Sequence, residues 1–409
     1  CFSLPLEIRL ASIESMHHSA FAMRSCSLRS LSPATLVILL SSLKCLVSGD
    51  QQEVYEGSLI HAQFSADPHL LSNKTSLVLD GTLQLAGCGI SQIPNSSVND
   101  FECYYCELGE DTWAAQQLDP SLLPSFRDML GESTHCSDHA YLFNLKDIVA
   151  TARNYDEVNS FPVGKVKGVI MSQPSSGSSV LMNAIIVAEG EKSRTHADHP
   201  AIIEVLDACD NISDNLCEFE DHVSAMVDLI YLLSRRESDI FIKLNPHSSA
   251  NIKVLREALH DEKDVKWAYV QRGADEVLTK ATERKRNGCL KNRNNPSNGL
   301  LTFVQNKGYD DLKDFTDEEV CSAFFAYNHQ TAVNEFSTND PNTIIMDYDS
   351  SIKNKDQLRT HVTDFFEIDL ADNALSAKVT AIVQKETHSR GGSRRKNVFV
   401  DEAQREGFT

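Results

Sequence analysis

The rhythm of apolar positions changes at Gly164. From there onward, short runs of consecutive hydrophobic residues alternate with stretches of helical period. The runs VKGVIM (166–171), IFIKL (240–244), VKWAYV (265–270) and TIIMD (343–347) read as strands buried on both faces. Between them Val223, Met226, Val227, Ile230 and Leu233 recur at helical spacing, as do Ile252, Leu255 and Leu259. Thr316 and Glu319 form a capping box, with Phe315 and Val320 placed as a hydrophobic staple, so a helix is predicted from there to about Phe336. Strands alternating with helices pack as a mainly parallel sheet with helices on both faces. The expected fold over residues 156–409 is therefore a three-layer α/β domain.

The chain before it reads differently. Residues 50–155 are turn-rich, weakly periodic and carry Cys88, Cys103, Cys106 and Cys136, so an irregular cysteine-bearing region is expected. Cys103-x-x-Cys106 followed by His135-x-x-x-His139 has a zinc reading, but the two pairs lie too far apart for a finger. Two disulfides are the first expectation. In residues 1–49, Arg24 and Arg29 precede the apolar run 36–43, and Val47 and Gly49 suit a cleavage site. That is the pattern of a secretory signal peptide, with a short signal anchor or a plain leader as alternatives. A membrane partner is expected only if the signal stays uncleaved.

Composition sharpens this picture. Of eleven cysteines, eight lie beyond residue 49, an even number that suits disulfide pairing in a secretory lumen. Asn73, Asn95 and Asn211 head glycosylation sequons, which matter in the same compartment. The 409 residues carry a formal net charge of −20, which repels nucleic acid and anionic membranes. An anionic ligand must then be held by a local basic or N–H-rich site.

Residues 173–181 (QPSSGSSVL) supply one. They follow a strand and open a helix whose apolar stripe is Val180, Leu181, Ala184, Ile185 and Ala188. Gly177 allows a sharp turn, and Ser178 and Ser179 offer hydroxyls and N–H groups at a helix N-terminus, where the dipole favours an anion. A turn that merely caps the helix is the alternative. A Walker loop is excluded, because Ser178 stands where that motif needs Lys, which argues against an ATPase or kinase.

The loop resembles the 5′-phosphosulfate loop of the sulfotransferases, Pro-(Lys/Arg)-Ser-Gly-Thr-Thr, through Pro174, Ser176, Gly177, Ser178 and Ser179. Ser175 departs from it, standing where the family carries a cation. The resemblance extends over roughly residues 160–385 and implies a P-loop-like fold that uses 3′-phosphoadenosine 5′-phosphosulfate (PAPS) as sulfuryl donor, without a metal. Arg272 matches the strand-end Arg that holds the 3′-phosphate, with Thr279 or Lys280 at the partner position on the next helix. Lys243 and His247 match a Lys-rich strand end and its base, His247 replacing a His that some members carry at the place of Asn245. Asp347-Tyr-Asp349 and residues 364–368 resemble later family segments, whereas the basic run 389–396 reads better as a solvated tail. The implied acceptor is a hydroxyl on a carbohydrate, and Arg284, Lys285, Arg286, Lys291 and Arg293 would attract an anionic one. Without a cation at Ser175, slow transfer or a nucleotide-binding pseudoenzyme is expected, unless another Lys or Arg reaches the loop in space.

Overall fold

The structure, a computed structural model, describes residues 74–381 apart from 92–96, 122, 124, 134–135, 137–140, 211–216, 236–238, 284–287, 337–339 and 371–376. The leader, the three sequon asparagines, residues 284–286 and the basic run 389–396 lie outside the described residues, as do His135 and His139.

Residues 74–159 begin with α1 (Thr75–Leu79), β1 (Gln84–Ile90) and β2 (Phe101–Cys106). There follow α2 (Glu110–Leu118), α3 (Phe126–Glu132), β3 (Tyr141–Asn144) and α4 (Leu145–Asn159). The strands form an antiparallel sheet in the order β1-β2-β3. This order was hidden in the sequence, because turns and cysteines break the period of two. Cys88 faces Cys103 directly across the β1–β2 register, and the two are disulfide-bonded. Cys106 is bonded to Cys136. Both cysteines of the Cys103-x-x-Cys106 pair are therefore in disulfides, which removes them as zinc ligands.

The second sheet contains β4 (Lys165–Ser172), β5 (Arg194–Ala197), β6 (Asp239–Lys243), β7 (Lys266–Gln271) and β8 (Thr343–Asp347). All neighbours are parallel, in the order β5-β6-β4-β7-β8. The helices that accompany them are α5 (Ser178–Glu189), α6 (Pro200–Leu206), α7 (Phe219–Ser234), α8 (Ile252–Ala258), α9 (Ala274–Glu283), α10 (Asn298–Gln305), α11 (Asp317–Asn334) and α12 (Lys355–Thr360). Each apolar run foreseen as a strand is one. The exception in the other direction is β5, whose four residues RTHA carry no apolar run to announce it.

Alternate strand residues face opposite sides, and both sides are covered. Val169, Met171, Ile240, Ile242, Trp267 and Tyr269 enter a core with α4, α6, α7 and α8. Ile170, Phe241, Ala268 and Val270 enter another with α5, α12 and residues 362–370. Val78, Cys88, Phe101 and Tyr105 belong to the first core, so the cysteine-bearing region packs on the same side as α6 and α7. Buried Arg235 reinforces that join. Its guanidinium holds both oxygens of Asp156 on α4, at 2.6 and 2.7 Å, and donates to the carbonyls of Val78 and Leu79. Removing one partner of such a buried pair costs about 3–5 kcal/mol.

Both halves of the capping box form at α11: Thr316 Oγ1 accepts from the Glu319 N–H, and Glu319 Oε2 accepts from the Thr316 N–H. The helix ends at Asn334, two residues short of the sequence expectation. A satellite core of Cys289, Leu300, Val304, Leu312, Cys321 and Phe324 is stapled by the Cys289–Cys321 disulfide. No helix among the described residues is long and apolar enough to cross a membrane.

Candidate functional site

Parallel pairing brings the carboxyl ends of all five strands to one edge. From β4 the chain first builds β5 and β6 on one side, then crosses to β7 and β8 on the other. Crossovers diverge at the end of β4, and open α/β sheets bind ligands in the crevice that such a reversal leaves. The residues placed there are 173–177.

This loop is held to the neighbouring strand on both sides of its entry. The Gln173 N–H donates to the Val270 carbonyl at 3.0 Å, and Gln173 Oε1 accepts from the Arg272 N–H at 2.9 Å. Ser175 (φ 59°) and Gly177 (φ 89°) are both left-handed, the type of backbone from which anion-binding N–H nests are made. Gly177 has a second reason to lack a side chain. A Cβ there would fall 2.6 Å from the Tyr348 ring. Gly177 is also the N-cap of α5, whose first-turn amides at Ser178 and Ser179 have no intrahelical carbonyl to bond.

The serines divide their work. Ser178 Oγ donates to Ser172 Oγ at 2.9 Å, bracing the helix start against the strand end. Ser179 is half-buried at the first turn. Ser176 is only 1% exposed, and its Oγ has no hydrogen-bond partner. A buried hydroxyl left unsatisfied costs about 1–3 kcal/mol, so Ser176 is a position where a bound phosphate oxygen would be stabilising.

Arg272 closes the loop from the β7 side. Its Nη1 donates to the Ser175 carbonyl at 3.3 Å, and the guanidinium lies 4.2 Å from the centre of the Tyr348 ring. Nε and Nη2 hold the Glu276 carboxylate one helical turn away. Tyr348 thus supports both Gly177 and Arg272. Thr279 is exposed and its hydroxyl donates to the Asp275 carbonyl of its own helix. The side chain of Lys280 lies outside the described residues.

On the other side of β4, Lys243 ends β6 in register with Ile170. Its side chain is 4% exposed, and Nζ donates to both oxygens of Asp198, at 2.8 and 3.0 Å. Asp198 follows β5 in left-handed conformation (φ 50°), and its N–H donates to the Lys243 carbonyl. Sequence reasoning missed Asp198 because it missed β5.

His247 sits in the turn Pro246–Asn251, where the Asn245 side chain accepts from its N–H. Its ring packs 5.1 Å from that of Phe324 and against Gly288, next to the Cys289–Cys321 staple. Burial, with a smaller contribution from Lys291, pushes its pKa down to about 4. It is neutral at pH 7 and a weak base. Of the basic cluster, Arg293 pairs with Asp317 at 2.5 Å, and Lys291 is exposed.

A further histidine pair went unnoticed in the sequence. His196 and His199 lie 5.2 Å apart between Trp113 and Phe126, with the His199 ring stacked on Phe126 at 3.9 Å. Burial lowers the pKa of both, that of His196 to about 4. A shallow depression lined by Arg359, Thr363 and Glu367 lies at the opposite edge of the sheet, where Glu367 pairs with Lys266 at the start of β7.

No protein-family model matches the chain, and no curated protein does. Solved structures similar to it include two at low identity. Both are sulfotransferase domains. The one from the Synechococcus PCC 7002 olefin synthase is 12% identical, with 52% of this chain and 76% of that one covered and a TM-score of 0.31. The one from the curacin biosynthetic pathway is 9% identical, with 52% and 77% covered and a TM-score of 0.29.

Proposed function

We propose that the chain is a sulfotransferase of the secretory pathway, moving a sulfuryl group from PAPS to a carbohydrate hydroxyl. The observation that carries this reading is Arg272 reaching the Ser175 carbonyl, because it brings a cation to the loop position where the sequence lacks one. The left-handed loop, the α5 amides and the unpartnered Ser176 hydroxyl support a 5′-phosphate site beside it.

In this reading the chain does mostly electrostatic and positional work. The acceptor oxygen forms a bond to sulfur as the bond between sulfur and the phosphate oxygen breaks. Arg272 offsets the charge that develops on the departing oxygen. Lys243 stands on the adjacent strand end, oriented by Asp198. The acceptor proton passes to a nearby base, for which His247 and Asp198 are the candidates. Asp198 sits at the strand edge itself, whereas the His247 ring is packed against Gly288 and Phe324.

A second reading is a protein that binds nucleotide or glycan without transfer. It is favoured by the pairing of Lys243 with Asp198 and of Arg272 with Glu276, which leaves each site cation partly neutralised. Release of 3′-phosphoadenosine 5′-phosphate from PAPS, measured with a panel of sulfated and uronic oligosaccharides, separates the two. Acceptor-dependent release that falls in Asp198→Asn or His247→Gln supports the enzyme and names its base. Tight nucleotide binding with no release for any acceptor supports the binder. No nucleotide binding overturns both.

A further inference from the structure

We infer that Cys209, Cys217 and His222 form a redox-gated metal site. In the oxidised chain the two cysteines are a disulfide; once reduced, they and His222 make a Cys2His ligand set for a zinc-class divalent ion. The site lies at the far end of α6 from Asp198, and it does not depend on the proposed transferase activity.

The orientation of His222 is the first argument. Its ring, 3% exposed in the first turn of α7, donates through Nε2 to the Val205 carbonyl at 2.5 Å. The proton on Nε2 leaves Nδ1 as the lone-pair nitrogen, and Nδ1 lies 3.0 Å from Cys209 Sγ. A disulfide sulfur has no hydrogen to give, so that lone pair gains nothing from the oxidised pair. A thiol or a metal ion would satisfy it. Fixing a ring by donating one nitrogen to a backbone carbonyl, with the other aimed at sulfur ligands, is how proteins orient metal-binding imidazoles.

The ligand geometry is the second. Cys209 Sγ, Cys217 Sγ and a His222 ring nitrogen all lie within 4.8 Å of one another. In a tetrahedral zinc site with S at about 2.3 Å and N at about 2.0 Å, ligand atoms stand roughly 3.5–3.8 Å apart. Three protein ligands leave the fourth position to water.

Third, this disulfide is the one placed to open. Cys209 and Cys217 are both half-buried, whereas each of the other three disulfides among the described residues has at least one cysteine at most 1% exposed, Cys136 being the one half-buried member of those pairs. Its sequence separation of 8 is the shortest of the four disulfides among the described residues, the others being 15, 30 and 32. Opening the shortest loop releases the least chain entropy, so the reduced protein is expected to stay folded. A dithiol reductant attacks as thiolate on Cys217 Sγ, and Cys209 departs as a thiolate beside His222. The second thiol of the reductant then closes its own disulfide and frees Cys217. Two electrons reach the protein, both cysteines take up protons, and a bound divalent ion displaces them.

The test uses the full chain, treated with limiting dithiothreitol until mass mapping shows Cys209–Cys217 open and the other pairs intact. Co2+ is added as the spectroscopic probe, and Zn2+ affinity is measured by chelator competition. The expected result is one ion per reduced chain, thiolate-to-cobalt charge-transfer bands, and Zn2+ binding at least a hundredfold tighter than in the oxidised chain. His222→Ala should weaken it by tenfold or more, and Cys209→Ser/Cys217→Ser should abolish the bands. The cobalt spectrum of the reduced wild type needs no variant, so a misfolded substitution does not blunt the test. No metal uptake on reduction, bands that persist in the double variant, or buried disulfides that open before Cys209–Cys217 would each overturn the proposal.

Discussion

The Nη1 of Arg272 donates to the main-chain carbonyl of Ser175 at 3.3 Å, joining two residues 97 positions apart. In the proposed reading, Ser175 is where the sequence departs from the loop it resembles in the sulfotransferases, and Arg272 is where that resemblance holds. The fold brings the second to the first, and this changes what the departure means.

Charge at the loop is then expected to depend on Arg272 rather than on residue 175. With PAPS raised until each variant is saturated, Arg272→Ala should lower the transfer rate on the order of a hundredfold, comparable to losing one preorganised donor to a developing oxyanion. Ser175→Lys should change the wild-type rate by only a few-fold, yet restore much of the activity when added to Arg272→Ala. Single-turnover rates of the four proteins decide it. A large gain from Ser175→Lys with Arg272 intact would mean that Arg272 does not serve the departing oxygen.

Gly177→Ala meets two obstacles at once, a left-handed backbone and the Tyr348 ring at 2.6 Å from the new Cβ. The backbone penalty alone is about 1–2 kcal/mol, so the melting temperature should drop by about 2–4 °C, with nucleotide binding lost as the loop shifts. Tyr348→Ala should recover part of the stability in the double variant by removing the clash. Calorimetry of the single and double variants measures this. Unchanged stability in Gly177→Ala would contradict the packing of Tyr348 on the loop.

Two buried groups should give opposite pH dependences. His196, lowered to about 4 chiefly by burial, binds fewer protons folded than unfolded. Its contribution is complete above the ordinary histidine value near 6.5 and is lost as pH falls toward 4, by about 3 kcal/mol in all. Glu204, raised to about 8 chiefly by burial, has the reverse sign: its contribution is complete below about 4.5 and is lost as pH rises toward 8. Denaturant midpoints between pH 4 and 8.5 should therefore show His196→Phe flattening the acid side. Glu204→Gln, which keeps an acceptor for the Cys88 N–H, should flatten the alkaline side.

The sheet was legible in the sequence because its central strands are buried on both faces and so read as unbroken apolar runs. β5 was not, since RTHA packs at an edge beneath Trp113 and Phe126 through His196 rather than through aliphatic residues. Losing β5 meant losing Asp198, the partner of Lys243. Gly177, Ser178 and Arg272 could be found from local chemistry alone: a turn, a helix start, a strand end. What Arg272 touches could not, because its contacts with Ser175 and Tyr348 come from strand order, and strand order leaves no local mark. Cysteine parity foretold pairing, but only the β1–β2 register says why Cys88 meets Cys103.

Mass mapping of the unreduced chain should recover Cys88–Cys103, Cys106–Cys136, Cys209–Cys217 and Cys289–Cys321. Full reduction should lower the melting temperature, with most of the loss from the longer loops closed by Cys106–Cys136 and Cys289–Cys321. Loss of Cys88–Cys103 would contradict the β1–β2 register, and loss of Cys289–Cys321 would contradict the packing beside His247.

The central claim is that residues 173–179 and Arg272 form one site for a phosphorylated nucleotide. Titration with 3′-phosphoadenosine 5′-phosphate, followed by thermal unfolding, tests it most directly. Ligand at a hundredfold above its dissociation constant should add about 2.7 kcal/mol to the stability of the wild type. Arg272→Ala should keep the apo melting temperature within a few degrees and show little of that gain. A wild type whose melting temperature does not move at saturating nucleotide, or an Arg272→Ala variant that gains as much as the wild type, would contradict it.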